Sequence, residues 1–155
     1  DRPLEQGDVL MLDTGAVFDG YFCDYDRNFA IGPASPIARD AHARLIDAVN
    51  AAADIARPGT TAADLFHAMD KVVTGGAGGS DAGRLGHGLG MQLTEGMSLI
   101  AADQTVLAEG MVLTLEPGID TVDGRIMVHE ENIVITQDGC RFISPRAGPE
   151  MTVIG

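Results

Sequence analysis

The sequence predicts an α+β domain in which two helices cover the convex face of a curved, largely antiparallel sheet. Hairpin-type turn signals stand at Asp19-Gly20 and Asp123-Gly124, and strand-like apolar runs flank both of them. Between the hairpins lie two stretches with helical spacing of apolar residues, 36–57 and 61–74. With 155 residues, 45% of them hydrophobic, we expect a single domain over residues 1–155.

The first hairpin sets the spacing of its own carboxylates. Residues 9–12 and 16–18 are apolar runs, and Asp19-Gly20 is a favoured two-residue turn. Counting back from that turn sets Asp13 opposite Asp26, and Asp24 becomes the diagonal neighbour of Asp13 on the same face. Either Asp24 or Asp26 could therefore share a cation with Asp13, and the count leaves both open.

The two predicted helices have recognisable starts. Ser35 is a good N-cap and Pro36 suits the first turn, while Pro58-Gly59 ends the first helix. Thr60 or Thr61 caps the second helix, with Asp64 in its first turn. The histidines on these helices, His42 and His67, are expected to face solvent.

Three strand-like stretches follow the helices, over residues 85–93, 111–115 and 125–135. A strict two-residue turn at Asp123-Gly124 would set Glu116 opposite Glu131. One bulge moves the register by a residue and sets Glu116 opposite Glu130 instead. Residues 145–155 are expected to form a surface tail.

Composition excludes some partners. The formal charge of −13 argues against nucleic acid, whose phosphates attract basic surfaces. The sequence has no uninterrupted apolar run long enough to span a bilayer, so no membrane partner is expected. Two cysteines, Cys23 and Cys140, do not form a disulfide-rich pattern, which predicts a reduced cytoplasmic setting.

Most of the predicted strands carry an acidic side chain, and one carries an imidazole between glycines. A carboxylate inside an apolar strand is costly to bury unless a cation meets it. This number of carboxylates would repel one another around a single ion. A site shared by two metal ions explains their presence more simply. Carboxylates with a single imidazole suit Mn, Fe, Co or Zn.

The order and flanks of these segments resemble the pita-bread metallopeptidases, the family of methionine aminopeptidase, aminopeptidase P and prolidase. In that family one Asp ends a strand as Asp-x-Gly and another follows eleven residues later, as Asp13 and Asp24 do. The His of Gly-His-Gly-x-Gly is matched by His87, and the Glu of Thr-x-Glu-Pro by Glu116. The last Glu precedes a Thr by six positions, which selects Glu130.

The resemblance implies a pita-bread fold and a dinuclear, metal-dependent hydrolase closest to the Xaa-Pro peptidase branch. Asp24 and Glu130 would bridge two divalent ions, Asp13 would bind one of them, and His87 with Glu116 the other. Glu116 would also be the catalytic proton shuttle. The substrate would be a short peptide or another small molecule, and we expect a homodimer. Because the family has more strands and helices before this point, we expect the first half of the fold to be missing.

The substrate side of the pattern departs from the family. Seven positions after the metal His the peptidases carry a second His, and here Thr94 stands. Two positions before the last ligand, prolidase and aminopeptidase P carry an Arg, and here Val128 stands. Thr94 and His129 are the candidate substrate contacts. A non-peptidase enzyme of the same fold, creatinase-like or dimethylsulfoniopropionate-lyase-like, is the alternative function, and a non-catalytic binding module is the second alternative.

Overall fold

Two helices and eight strands form the part of the chain that the computed structural model describes, residues 2–81, 83–121 and 125–155. The predicted Asp123-Gly124 turn lies outside these residues. The elements are β1 (Val9–Phe18), β2 (Tyr21–Ile31), α1 (Pro36–Ile55), α2 (Ala62–Val73), β3 (Val112–Leu115), β4 (Gly118–Asp120), β5 (Ile126–Val128), β6 (Glu131–Ile135), β7 (Cys140–Phe142) and β8 (Thr152–Ile154).

Strands β1 and β2 form a long antiparallel hairpin in the register that the sequence predicts. Phe18 pairs with Tyr21 across the turn, and Asp13 pairs with Asp26. At the turn, Asp19 has a φ of 51°, the left-handed conformation that two-residue hairpins require. Along its other side β2 pairs in parallel with β8, so residues 152–154 form a strand rather than the surface tail that the sequence predicted. That pairing depends on a contact far along the chain, which local sequence cannot reveal.

The helices begin where their capping residues predict. The Ser35 hydroxyl accepts a hydrogen bond from the Ala38 backbone N–H at 3.1 Å, with Pro36 in the first turn of α1. Thr61 and Asp64 form a reciprocal capping box at the start of α2. His67 is exposed as expected, but His42 is only 2% exposed. The expectation for His42 was wrong because it lies four residues after Ala38 and three before Leu45, on the apolar face of α1.

The second half of the chain forms two small antiparallel sheets. In one, β6 lies between β3 and β7, and in the other β4 pairs with β5. The predicted strand over residues 125–135 is divided into β5 and β6, with His129 and Glu130 between them. The predicted strand over residues 85–93 is not regular: it has isolated bridges from His87 to Ser98 and from Gly88 to Leu113.

One core joins the helices to the sheets. Helices α1 and α2 pack against each other, and their apolar faces meet buried residues of the strands and of the segment before them. The largest of these buried side chains are Leu45, Leu65, Met69, Leu85, Leu99, Leu107, Leu113, Leu115, Ile133 and Ile135. The predicted α+β class with a mostly antiparallel sheet is confirmed. In the described residues no helix is long and apolar enough to cross a membrane.

Candidate metal centre

Two groups of acidic and histidine side chains meet between the β1–β2 hairpin and the residue just before β6. One group consists of Asp24, His87 and Glu130, and the other of Asp13, Asp26 and Glu130. Within each group the potential ligand atoms all lie within 4.8 Å of one another. The two groups share Glu130, so one carboxylate belongs to both candidate cation positions.

The imidazole of His87 is oriented for a metal. The ring is 1% exposed, and its Nδ1 lies 2.9 Å from the carbonyl oxygen of Gly88. Because a carbonyl only accepts, Nδ1 must carry the proton and donate, which leaves the lone pair of the neutral ring on Nε2. This Nε2 lies 3.7 Å from Asp24 Oδ2, which is the direction of the shared site.

The glycines beside His87 are required by close backbone packing. Gly86 has a φ of +135°, and a Cβ there would lie 2.2 Å from the Thr114 carbonyl oxygen. A Cβ on Gly88 would lie 2.0 Å from the Glu95 carbonyl oxygen. The segment is held between these neighbours, and its bonds to β3 include Thr114 N to His87 O at 2.8 Å. The glycines therefore allow the backbone around His87 to pack directly against β3.

Glu116 stands at the end of β3, next to both groups. The pairing of Leu115 with Glu131, continued by one residue, sets Glu116 opposite Glu130. This is the shifted register, not the one that a strict two-residue turn would give. Glu116 belongs to neither compact group, but its charge acts on Glu130 and Asp26. Burial raises the pKa of Glu116, and the nearby Asp24 and Asp13 raise it further.

The crowding of acidic groups is visible in their pKa values. Burial, followed by the charges of Glu116 and Asp24, raises the pKa of Glu130 to about 9. Burial and the charge of Asp13 raise the pKa of Asp26 to about 7, and the same two causes raise the pKa of Asp24. Without a cation these carboxyls disfavour ionisation, which is the behaviour of a site that requires positive charge.

Side chains from β2 and β6 hold the two donor strands together. Arg27 donates from one nitrogen to the backbone oxygens of Asp26 and Glu130, at 2.6 and 2.9 Å. The amide of Asn132 donates to the Asp24 backbone oxygen at 2.6 Å. These bonds join backbone positions more than 100 residues apart in the chain, so they set the separation of the carboxylates on the two strands.

Glu131 has a different environment from Glu130, its neighbour. Its carboxylate pairs with Arg27 at 2.9 Å, accepts from the Ala147 N–H at 2.9 Å, and contacts Ser144 and His129. Burial opposes its ionisation, but the hydrogen bonds and the Arg27 charge prevail and lower the pKa of Glu131 to about 2. Glu131 is therefore a structural anion with its own partners, whereas Glu130 faces the shared site.

His129 lies with Glu131 rather than with the metal centre. The ring is 0% exposed, its Nε2 lies 3.2 Å from Glu131 Oε1, and it packs edge-on against His42. This geometry does not support the expected substrate contact.

Thr94 and Arg84 are both solvent-exposed, and Arg84 lies near the site. Thr94 is exposed, and its hydroxyl accepts a long hydrogen bond of 3.5 Å from Arg84. The Arg84 guanidinium also lowers the pKa of Asp24 and Glu116, so its charge reaches the metal centre. Sequence reasoning missed Arg84, although its position three residues before His87 was a usable signal. Asp26 was left open, and the structure sets it beside Asp13 and Glu130.

Comparison with known proteins agrees with this geometry. Residues 1–138 match the sequence profile of metallopeptidase family M24. The chain is 32% identical over 146 residues to the Xaa-Pro dipeptidase of Pyrococcus furiosus, covering 93% of this chain and 42% of that protein. The chain thus spans less than half the length of this relative.

Solved structures give the same result. The dipeptidase PepE of Mycobacterium ulcerans superposes with a TM-score of 0.90 at 32% identity, over 99% of this chain and 42% of that one. The prolidase of Pyrococcus furiosus superposes with a TM-score of 0.88 at 30% identity, over 96% of this chain and 44% of that one. The pita-bread fold is thereby confirmed, and the chain belongs to metallopeptidase family M24.

Proposed function

We propose that the protein is a dinuclear metal-dependent hydrolase that cleaves short peptides, with Xaa-Pro dipeptides as the first candidates. The observation that carries the proposal is the pair of donor groups sharing Glu130. The substrate class is suggested by similar proteins that are named Xaa-Pro dipeptidases.

The residues present fit two divalent ions. Glu130 is 2% exposed, and its Oε1 has no hydrogen-bond partner among the described residues. Uncompensated burial of such an oxygen is costly, and a cation would compensate it. We assign His87, Asp24, Glu116 and Glu130 to one ion, and Asp13, Asp24 and Glu130 to the other. Carboxylate oxygens with one imidazole suit Mn²⁺, Co²⁺, Zn²⁺ or Fe²⁺.

Bound ions would supply an activated water and stabilise the negative charge that develops on the scissile carbonyl oxygen. The protein supplies the proton transfers. We assign the acceptor role to the Glu116 carboxylate, which would take a proton from the attacking water and deliver it to the leaving amine nitrogen.

Substrate is expected to enter on the side of Thr94 and Arg84. A threonine can donate one hydrogen bond to a carbonyl but carries no charge. Arg84 is the positively charged group beside it, and we propose that it interacts with a carboxylate or carbonyl of the substrate. A site with this altered polarity also suits a small non-peptide substrate, which is the second candidate function.

Substitution of Glu116 by Gln tests the assignment in the intact protein. Purified protein loaded with Mn²⁺ would be assayed against Xaa-Pro dipeptides, longer Xaa-Pro peptides and small osmolytes. Gln preserves the shape but cannot accept the proton, so turnover should fall by about 10²–10⁴-fold. The exposed Glu109→Gln is the matched control and should keep wild-type turnover. Turnover of an osmolyte alone would favour the second candidate. Full peptide turnover by Glu116→Gln would contradict the role of Glu116.

A further inference from the structure

We propose that Asp26 is a direct ligand of the metal centre, completing an all-oxygen cation position together with Asp13 and Glu130. This inference rests on the proposed dinuclear site and adds a ligand to it. The position would suit a hard divalent cation such as Mn²⁺, because all of its protein donors are carboxylate oxygens.

The hairpin register forces Asp26 towards the site. Asp13 and Asp26 are directly paired residues of β1 and β2, so their side chains project from the same face of the hairpin. Two like charges in such a pair repel each other and destabilise the hairpin. Their ligand oxygens and that of Glu130 nevertheless lie within 4.8 Å of one another. A cation between them turns this repulsion into attraction.

Among the described residues, the charge of Arg27 acts on Asp26, but its guanidinium does not pair with the Asp26 carboxylate. The residue is 2% exposed, and over the described ranges its Oδ1 has no hydrogen-bond partner. The neighbouring Arg27 donates to the backbone oxygen of Asp26, while its other nitrogen pairs with Glu131. A structural aspartate would be expected to have partners like those of Asp70, which accepts from Gly79 N and Ser80 N at 2.8 Å.

The two cation positions then differ in chemistry. One includes the imidazole of His87, which also accepts borderline metals such as Zn²⁺. The other has oxygen donors only, so loss of Asp26 should weaken Mn²⁺ binding more than Zn²⁺ binding. With Asp26 the centre has five carboxylates, one more negative charge than two divalent ions neutralise.

The test compares Asp26→Asn with the wild type in the intact protein, by Mn²⁺ titration calorimetry and by thermal unfolding with and without Mn²⁺. Loss of a residue that merely supports metal ligands typically costs 10–100-fold in affinity. Loss of a direct ligand should weaken one of the two Mn²⁺ sites by more than that, by over about 100-fold. Without metal, Asp26→Asn should unfold at the same or a higher temperature, because one crowded carboxylate is gone. Its Mn²⁺-dependent increase in Tm should be smaller than in the wild type.

Asp70→Asn is the matched control, since Asp70 is also a buried aspartate but lies on α2 with its own hydrogen bonds. It should unfold at a lower temperature without metal and keep wild-type Mn²⁺ affinity. If Asp26→Asn does not fold, Asp26→Ser, with a smaller uncharged polar side chain, gives the same readouts. Mn²⁺ affinity that is unchanged or falls by less than about 100-fold in the Asp26 variant, with two ions in the wild type, would overturn this inference alone. A wild type that binds no Mn²⁺ would overturn the proposed function as well.

Discussion

Glu130 and Glu131 are adjacent in sequence, yet their replacement by Gln should change stability in opposite directions. Glu131→Gln removes a buried anion that has Arg27, Ser144 and the Ala147 N–H as partners. Its pKa is lowered from 4.5 to about 2, which corresponds to about 3 kcal/mol of stabilisation at neutral pH. Breaking a buried ion pair from one side costs about 3–5 kcal/mol, which agrees with that figure.

Glu130→Gln should have the reverse effect in the metal-free protein. The pKa of Glu130 is raised to about 9, so at pH 7 the folded state holds a proton that the unfolded state releases. Holding that proton at pH 7 lowers the free energy of unfolding by up to about 3 kcal/mol. This figure is the gap between pH 7 and the ordinary pKa of 4.5, converted at about 1.4 kcal/mol per unit. A neutral Gln avoids this cost, so the free energy of unfolding should rise by up to that amount.

The two effects have different pH dependence. A lowered carboxyl pKa stabilises the fold above 4.5, and this contribution is lost as pH falls towards 2, so the cost of Glu131→Gln shrinks in acid. A raised carboxyl pKa makes the metal-free fold most stable below 4.5 and progressively less stable as pH rises to about 9. The benefit of Glu130→Gln should therefore grow over that range.

Urea unfolding of the intact protein in a chelator, at pH 5 and pH 8, measures both variants. Glu109→Gln, an exposed glutamate, is the control and should change the free energy of unfolding by less than about 0.5 kcal/mol. The reasoning would be refuted if Glu131→Gln cost less than about 1 kcal/mol. Equal destabilisation by both variants would refute it too, since the neighbours would then share one environment.

Three further outcomes are expected in the Mn²⁺-loaded intact protein. If the protein is a peptidase, Thr94→His should increase peptide turnover. Unchanged peptide kinetics would argue against a substrate contact at position 94. Arg84→Ala should move the acidic limb of the pH–rate profile to higher pH, because the Arg84 charge lowers the pKa of Glu116; Arg84→Lys should leave the limb in place. Mn²⁺ binding at pH 7 should release protons, because Glu130 with its pKa of about 9 must lose one; calorimetry in buffers of different ionisation enthalpy measures the release, and none would contradict that pKa.

The parts of the fold that sequence predicted are those specified locally. The Asp19-Gly20 turn defines the whole β1–β2 register, and the capping residues define the starts of both helices. A count from a strict two-residue turn could not give the register that sets Glu116 opposite Glu130. That register already holds in the β4–β5 pairing of Gly118 with Val128, so no bulge between β4 and β3 produces it. It agreed with the family motif, which carries non-local information.

The remaining differences have a common physical origin in contacts between distant segments. His87 is held in an irregular segment because Gly86 and Gly88 pack against carbonyl oxygens of Thr114 and Glu95. The parallel strand β8 forms only because residues 152–154 reach β2. Strand alternation alone puts Asp26 on the same face as Asp24, which is enough to predict it near the site. The family motif selected Asp24 instead.

The number of ions bound per chain tests the central claim most directly. Intact wild-type protein, stripped of metal and titrated with Mn²⁺, should bind two ions per chain by native mass spectrometry. Glu130→Gln should lose the two-ion state because Glu130 belongs to both donor groups, whereas Glu109→Gln should retain it. A wild type that binds no ion, or two ions retained with unchanged affinity by Glu130→Gln, would contradict the account.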